Sequence, residues 1–177
     1  MKTFPFLMLA GALAASTFAE DAAKKAAASA ASGKDASTAA TIPASAAVVT
    51  APLVLKDGAI GQPAQTELAG GGKAVFTFTI AKAGDYVIHA MVDAPGEDSN
   101  SFYLNIDAPP QDPVMIWDID VTKGFEERIV SWRGKGEPES DEFAPKIFKL
   151  TAGEHKLFIV GREPAQLKSV SFRPAAK

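Results

Sequence analysis

The chain predicts an all-β fold, a β-sandwich jelly roll of about eight to ten antiparallel strands. Three observations carry that prediction. Apolar residues alternate with a period of two in several separate stretches. Turns containing Gly and Pro punctuate those stretches. No sustained 3.6-residue periodicity lies between them, so there are no crossover helices to build a βαβ unit.

In order along the chain, 48–55 and 63–69 read as weak strands. From Lys73 to Ala81, Ala74, Phe76, Phe78 and Ile80 share one face, with Val75, Thr77 and Thr79 opposite. Ala83-Gly84-Asp85 breaks the chain. Tyr86, Ile88, Ala90 and Val92 then face one way, with Val87, His89 and Met91 opposite. After the turn Ala94-Pro95-Gly96, Phe102, Leu104 and Ile106 alternate with Tyr103, Asn105 and Asp107. β-branched and aromatic residues suit a pleated, half-buried surface. Further strands are expected at 114–119, 127–132, 146–150, 155–161 and 167–173. The short link Thr151-Ala152-Gly153-Glu154 predicts a hairpin between the strands on either side of it.

The two ends of the 177-residue chain differ in composition. Met1–Ala19 reads as a secretory signal peptide. Lys2 leads an apolar run from Phe4 to Ala15, and Thr17 and Ala19 are small residues before a cut near Ala19. The run is shorter than the roughly 20 residues a spanning helix needs. A secreted or periplasmic protein is the expectation. A bacterial lipoprotein would need Cys after the run, and the chain has none. Residues 20–47 hold 13 Ala and no aromatic residue, and read as a disordered, low-complexity linker. About 127 residues remain for the sandwich, 48–174, enough for one core.

The lack of Cys excludes disulfides, thiolate metal sites and thiol catalysis. A net charge of −3 and a pI near 5.4 argue against a nucleic-acid partner. No G-x-S-x-G elbow, H-E-x-x-H pair or phosphate-binding glycine loop is present, and Gly70-Gly71-Gly72 reads as a turn before a strand. His89 and His155 read as structural. The expected protein is not an enzyme.

Several segments recur in a familiar order. They are Ala83-Gly84-Asp85-Tyr86-Val87-Ile88, Asn100-Ser101-Phe102-Tyr103-Leu104-Asn105-Ile106-Asp107, then Trp117 and Trp132. Phe148-Lys149-Leu150-Thr151-Ala152-Gly153-Glu154-His155-Lys156-Leu157-Phe158-Ile159 follows, and Arg162-Glu163-Pro164 with Leu167 and Val170 closes the set. Together, from about 48 to 173, they resemble carbohydrate-binding module families 6 and 35 of the galactose-binding-like jelly rolls.

The resemblance implies a sugar site made by loops at one edge of the sandwich. An aromatic face there covers the C–H face of a pyranose, and polar groups meet its hydroxyls. Carried over, Trp132 is the first platform candidate and Trp117 the second, although Trp117 in Val114-Met115-Ile116-Trp117 also reads as core. Gln166 stands near the last-loop polar position, and Asn100 is a candidate side wall. Tyr103 points away from Phe102 and Leu104, toward solvent or a groove. Arg162 with Glu163 reads either as a hydrogen-bonding wall or as a structural loop pair, with Asp107 or Asp118 as expected partners of the Arg162 fork. Trp132→Ala is then expected to abolish retention on polysaccharide gels with little change in thermal unfolding.

No cofactor is expected. The structural calcium common in these families is weakened here. The stretch matching their Glu-rich first strand, 47–52, has no acid, and Lys168 stands where the last strand usually carries one. The acidic run 137–142 and the pair Asp118 and Asp120 are the remaining metal candidates, with solvated charge as the alternative. One stacked ring and a few hydrogen bonds bound the affinity for a short sugar at about 0.1–10 mM. The expected partners are a carbohydrate and separate polysaccharide-degrading enzymes. A structural or adhesion jelly roll without a sugar site is the alternative.

Overall fold

The computed structural model describes residues 40–133 and 143–176. The expected signal peptide, most of the Ala-rich stretch and the acidic run 137–142 lie outside the described residues. Among the described residues, no helix is long and apolar enough to cross a membrane.

Two antiparallel sheets form a jelly-roll sandwich. The strands are β1 (Ile42–Pro43), β2 (Val48–Thr50), β3 (Val54–Lys56), β4 (Ala59–Gly61), β5 (Lys73–Ile80), β6 (Gly84–Asp93), β7 (Ser101–Ile106), β8 (Ile116–Asp118), β9 (Glu126–Ile129), β10 (Phe148–Leu150), β11 (Gly153–Gly161) and β12 (Gln166–Pro174). One sheet runs β10-β6-β12-β4-β3, with β1 on β12 and β9 on β6; the other runs β2-β5-β11-β7-β8. The alternation read in β5, β6 and β7 sets the inner faces. Phe76, Ile88, Phe102 and Leu104 are buried in one core with Leu157, Ile159, Leu167, Val170 and Phe172. Phe78 and Phe172 stack across the two sheets with centroids 3.7 Å apart.

Three local readings change. Residues 63–69 form no strand; a hairpin precedes them instead, β3 to β4. Its two-residue turn is Asp57-Gly58, with φ of 51° and 78°. That pair of left-handed residues matches the twist of the strands it joins. The expected hairpin across 151–154 is not formed. β10 pairs with β6 in the seven-stranded sheet, whereas β11 pairs with β5 and β7 in the other. The link is a corner between sheets, with Gly153 at φ 130°. A short Gly link fits a corner as well as a hairpin, and the core-facing residues Phe148 and Leu150 decide for the corner. Finally, the fold takes in residues assigned by composition to the linker. Ile42 and Pro43 pair with Val170 and Ser169, and Ala44 is fully buried. Ala is small enough to fill a core niche, which an Ala count cannot reveal.

His155 closes one end of β11. Its Nδ1 lies 2.6 Å from Asp107 Oδ2 and its Nε2 lies 2.9 Å from the Thr151 carbonyl. Two acceptors suit the imidazolium, in which both nitrogens donate. The Asp107 hydrogen bond raises the His155 pKa above about 6.5, against the opposing effect of burial. For Asp107, partial burial opposes ionisation, but hydrogen bonds from His155 and the Lys156 N–H outweigh it and lower its pKa. The His155 contribution is full below the unfolded value and is lost as pH rises through the raised one. The Asp107 contribution is present above its unfolded value and is lost as pH falls through the lowered one. Asp107 is half exposed, so the pair is worth about 1 kcal/mol after screening. Thermal unfolding from pH 5 to 8 should show stability falling across the upper part of that range. His155→Gln should remove that fall, and an unchanged slope in the variant would contradict the assignment.

Candidate functional site

The two sheets end side by side at β8 and β9, and this edge is open. The pleat explains why. Glu126 and Arg128 of β9 pair with Val92 and Ala90, whose side chains face the core, so β9 turns charged residues toward the gap between the sheets. Charged groups do not close a core. A cleft of about 260 Å³ remains, lined by Trp117, Asp118, Ile119 and Asp120 on one side and by Glu127, Arg128 and Ile129 on the other, with Ser131, Phe143 and Pro145 at its end.

The cleft has an apolar wall and polar groups in need of partners. Phe143 is 55% exposed and Ile129 40%, while Trp117 at 1% forms a buried base. Arg128 gives Nη2 to Glu126 at 2.7 Å, yet its Nε has no partner among the described residues. Ser131 is 1% exposed, and its Oγ is also unpaired among them. A buried polar atom without a partner is costly, and both atoms lie beneath the surface of the cleft. Asp118 is held by Arg133 in a two-pronged pair, Nη2 to Oδ1 at 2.8 Å and Nε to Oδ2. Glu127 is held by Arg173 at 2.6 and 3.0 Å. That Arg173 hydrogen bond keeps the Glu127 carboxyl below the usual carboxylate range, against partial burial and with help from His89. An aromatic face beside such donors and acceptors suits a hydroxylated ring.

The residues expected to bind sugar scatter. Trp132 is half-buried against the core. Its Nε1 donates to the Leu104 carbonyl at 3.0 Å, its edge meets Phe148, and Lys146 Nζ lies 4.0 Å from the ring centroid. Asn100 spends its amide on the Ile119 carbonyl at 3.0 Å, so it supports the cleft wall from behind. Tyr103 is 1% exposed. It packs with Ile116, Val160 and Leu68 on the outer face of the five-stranded sheet, and burial raises its phenol pKa, with the Asp112 charge adding and Arg162 opposing. Arg162 pairs with Glu163 and donates to Ser101 Oγ at 2.6 Å. Glu163 in turn accepts from the Asn100 N–H at 3.2 Å. This ties the turn before β12 to β7. Asp107 and Asp118, the partners expected for Arg162, are taken by His155 and Arg133. Gln166 is exposed beside Gly61 and Asp93 and does not line the cleft.

Sequence reasoning passed over Phe143, Arg128 and Ser131. The available signal was an aromatic residue after an acidic run and before Pro145, a loop setting in which a large apolar side chain has no strand face to bury. The acidic run 137–142, one of the two metal candidates, lies outside the described residues. Residues 47–52 carry no acid, the Lys168 ammonium stands at the last strand, and among the described residues no three His, Asp or Glu side chains are grouped to hold a metal.

The architecture is that of carbohydrate-binding jelly rolls. No family sequence profile matches the chain, and no curated protein matches it in sequence. Solved structures do. A GH26-CBM35 β-(1,4)-mannanase from Podospora anserina superposes over 80% of this chain with a TM-score of 0.57 at 14% identity; this chain spans 29% of that enzyme's length. A family 35 carbohydrate-binding module from Clostridium thermocellum is matched over 77% of this chain and 100% of its own, with a TM-score of 0.54 and 10% identity. The C-terminal family 6 module of a marine laminarinase from Zobellia galactanivorans is matched over 76% and 98%, with a TM-score of 0.51 and 12% identity. At these identities the likeness is one of fold.

Proposed function

We propose that the domain is a secreted, non-catalytic carbohydrate-binding module that seats a sugar in the cleft between β8 and β9. The observation that carries this reading is the exposed Phe143 ring at the mouth of a cleft lined by the Asp118, Asp120 and Glu127 carboxylates, above two buried polar atoms, Arg128 Nε and Ser131 Oγ, that have no partner among the described residues. A pyranose laid on Phe143 covers the ring and brings its hydroxyls to the polar lining of the cleft, Asp120 and Glu127 among it. The shared fold with family 6 and 35 modules supports the reading, and so does the signal-like segment Met1–Ala19. Separate polysaccharide-degrading enzymes are its natural companions. The β-mannan and laminarin named for two neighbours are the first polymers to try.

Retention of the Phe143→Ala variant in gels containing mannan, laminarin and other neutral glycans provides the test. One ring face is worth about 1.5–2.5 kcal/mol, so retention should fall about tenfold or more. The unfolding midpoint should barely move, because the ring is largely exposed. Full retention would remove Phe143 from the site. A second reading, a structural or adhesion domain, draws on the covered rings of Trp117, Tyr103 and Trp132. It predicts no hit on any glycan array.

A further inference from the structure

The rims of the edge cleft are two open strand edges, and hydrogen-bond parity fixes what they present. In an antiparallel ladder, alternate residues turn their N–H and C=O groups toward the partner strand and the others turn theirs away. Ile119 donates its N–H to the Asn100 carbonyl, and Leu104 donates to Met115. Asp118, opposite Ser101, therefore turns its carbonyl away from β7, toward the open edge. On the other rim Val130 donates to the Ile88 carbonyl, so Glu127 and Ile129 turn theirs away from β6. Asp118, Glu127 and Ile129 all line the cleft. It thus meets carbonyl acceptors from both sheets.

Charge then selects among hydroxylated rings. Asp118, Asp120 and Glu127 line the cleft with a single cation, Arg128. Glu126 holds Arg128 at 2.7 Å, Arg133 balances Asp118, and Arg173 balances Glu127. Asp120 is exposed and forms no ion pair among the described residues. One negative charge at the rim is therefore uncompensated. Phe143, 55% exposed, presents an aromatic face, which attracts a cation as well as a C–H surface. The cleft ends on Ser131, which is 1% exposed and whose Oγ has no partner among the described residues. Free carbonyls, an uncompensated carboxylate and a ring face suit a ligand that is rich in donors and positively charged.

We infer that the cleft prefers an amino sugar of the glucosamine class over a neutral one. The inference rests on the sugar-binding role proposed for the cleft. The ammonium has three donors and no acceptor, so it meets the Asp120 carboxylate and the rim carbonyls, while the pyranose lies on Phe143. N-acetylation removes the charge and leaves the ring in place.

A glucosamine hexamer and its fully N-acetylated form, titrated in parallel into the full chain, test this inference. The amine should bind about tenfold more tightly, the usual scale of a charge-assisted contact. The gap should close as salt screens the pair, and as pH rises through the amine's own pKa. Asp120→Asn should remove the gap by weakening the amine alone, and Asp120→Glu should keep it. Asp120 is exposed, so its variants report on folded protein. Phe143→Ala should weaken both forms. Equal binding of the two forms, a gap that survives Asp120→Asn, or oligolysine binding as tightly as the amine would overturn the inference. If Phe143-dependent retention of neutral glycans accompanies any of these results, the cleft keeps its sugar-binding role without the preference. If no glycan of any kind is retained, both fall together.

Discussion

Arg133→Met should lower the unfolding free energy by about 3 kcal/mol, the low end of the cost of breaking a buried ion pair. Asp118 is 5% exposed on β8, and Arg133 holds both of its oxygens. Removing the guanidinium leaves a largely buried carboxylate without its partner. Arg133 also donates its backbone N–H to the Ile116 carbonyl at 3.0 Å, which places the pair where the chain leaves β8's side of the cleft. Asp118→Asn combined with Arg133→Met should cost less than the sum of the single changes, because the stranded charge is gone. Chemical denaturation of the four proteins measures this coupling, and strict additivity would show that the pair contributes little. Glycan retention should also weaken in Arg133→Met, since Asp118 lines the cleft.

Trp132→Ala should cost about 3 kcal/mol of stability, with a midpoint lower by about 10 °C for a domain of this size. The ring joins the two sheets. Its N–H reaches the Leu104 carbonyl of β7 in one sheet, and its edge meets Phe148 of β10 in the other. Lys146 lies over its face. Trp132→Phe should recover much of the packing but not the hydrogen bond, and so fall between. This differs from the sequence-based expectation for Trp132→Ala, lost binding with unchanged unfolding. An unchanged midpoint together with lost retention would restore Trp132 as the platform and displace Phe143.

Much of the sandwich was legible because alternation is a local property. β5, β6, β7, β11 and β12 lie where the period-two runs placed them, and their apolar sides form the core. The β3–β4 hairpin was missed because Asp57-Gly58 sits between short strands whose exposed apolar residues, Val54 and Leu55, follow no alternation. The corner at Gly153 was missed because a four-residue link does not say whether the next strand returns to the same sheet. Arg162–Glu163 was legible as one of two things, a hydrogen-bonding wall or a structural loop pair, and the contacts that tie it to Ser101 and Asn100 needed the folded chain. The cleft was not legible. Phe143 and Ser131 meet because Ser131 bridges Pro145, and Arg128 lies just before them at the end of β9.

By itself the amino-acid order determined the all-β class, the inner face of each long strand and the absence of thiol chemistry. Each of these follows from residue type and a spacing of two, which a strand converts directly into a face. The tertiary structure decided which aromatic rings are exposed. Trp132 and Tyr103 were drawn inward by partners up to about 60 residues away, Leu104 and Val160 among them, while Phe143 was left at the cleft. It also decided a bulge in β12 that turns Lys168 outward, since register depends on what the neighbouring strand presents. Exposure and register are set by contacts between distant segments, and composition and periodicity carry no record of them.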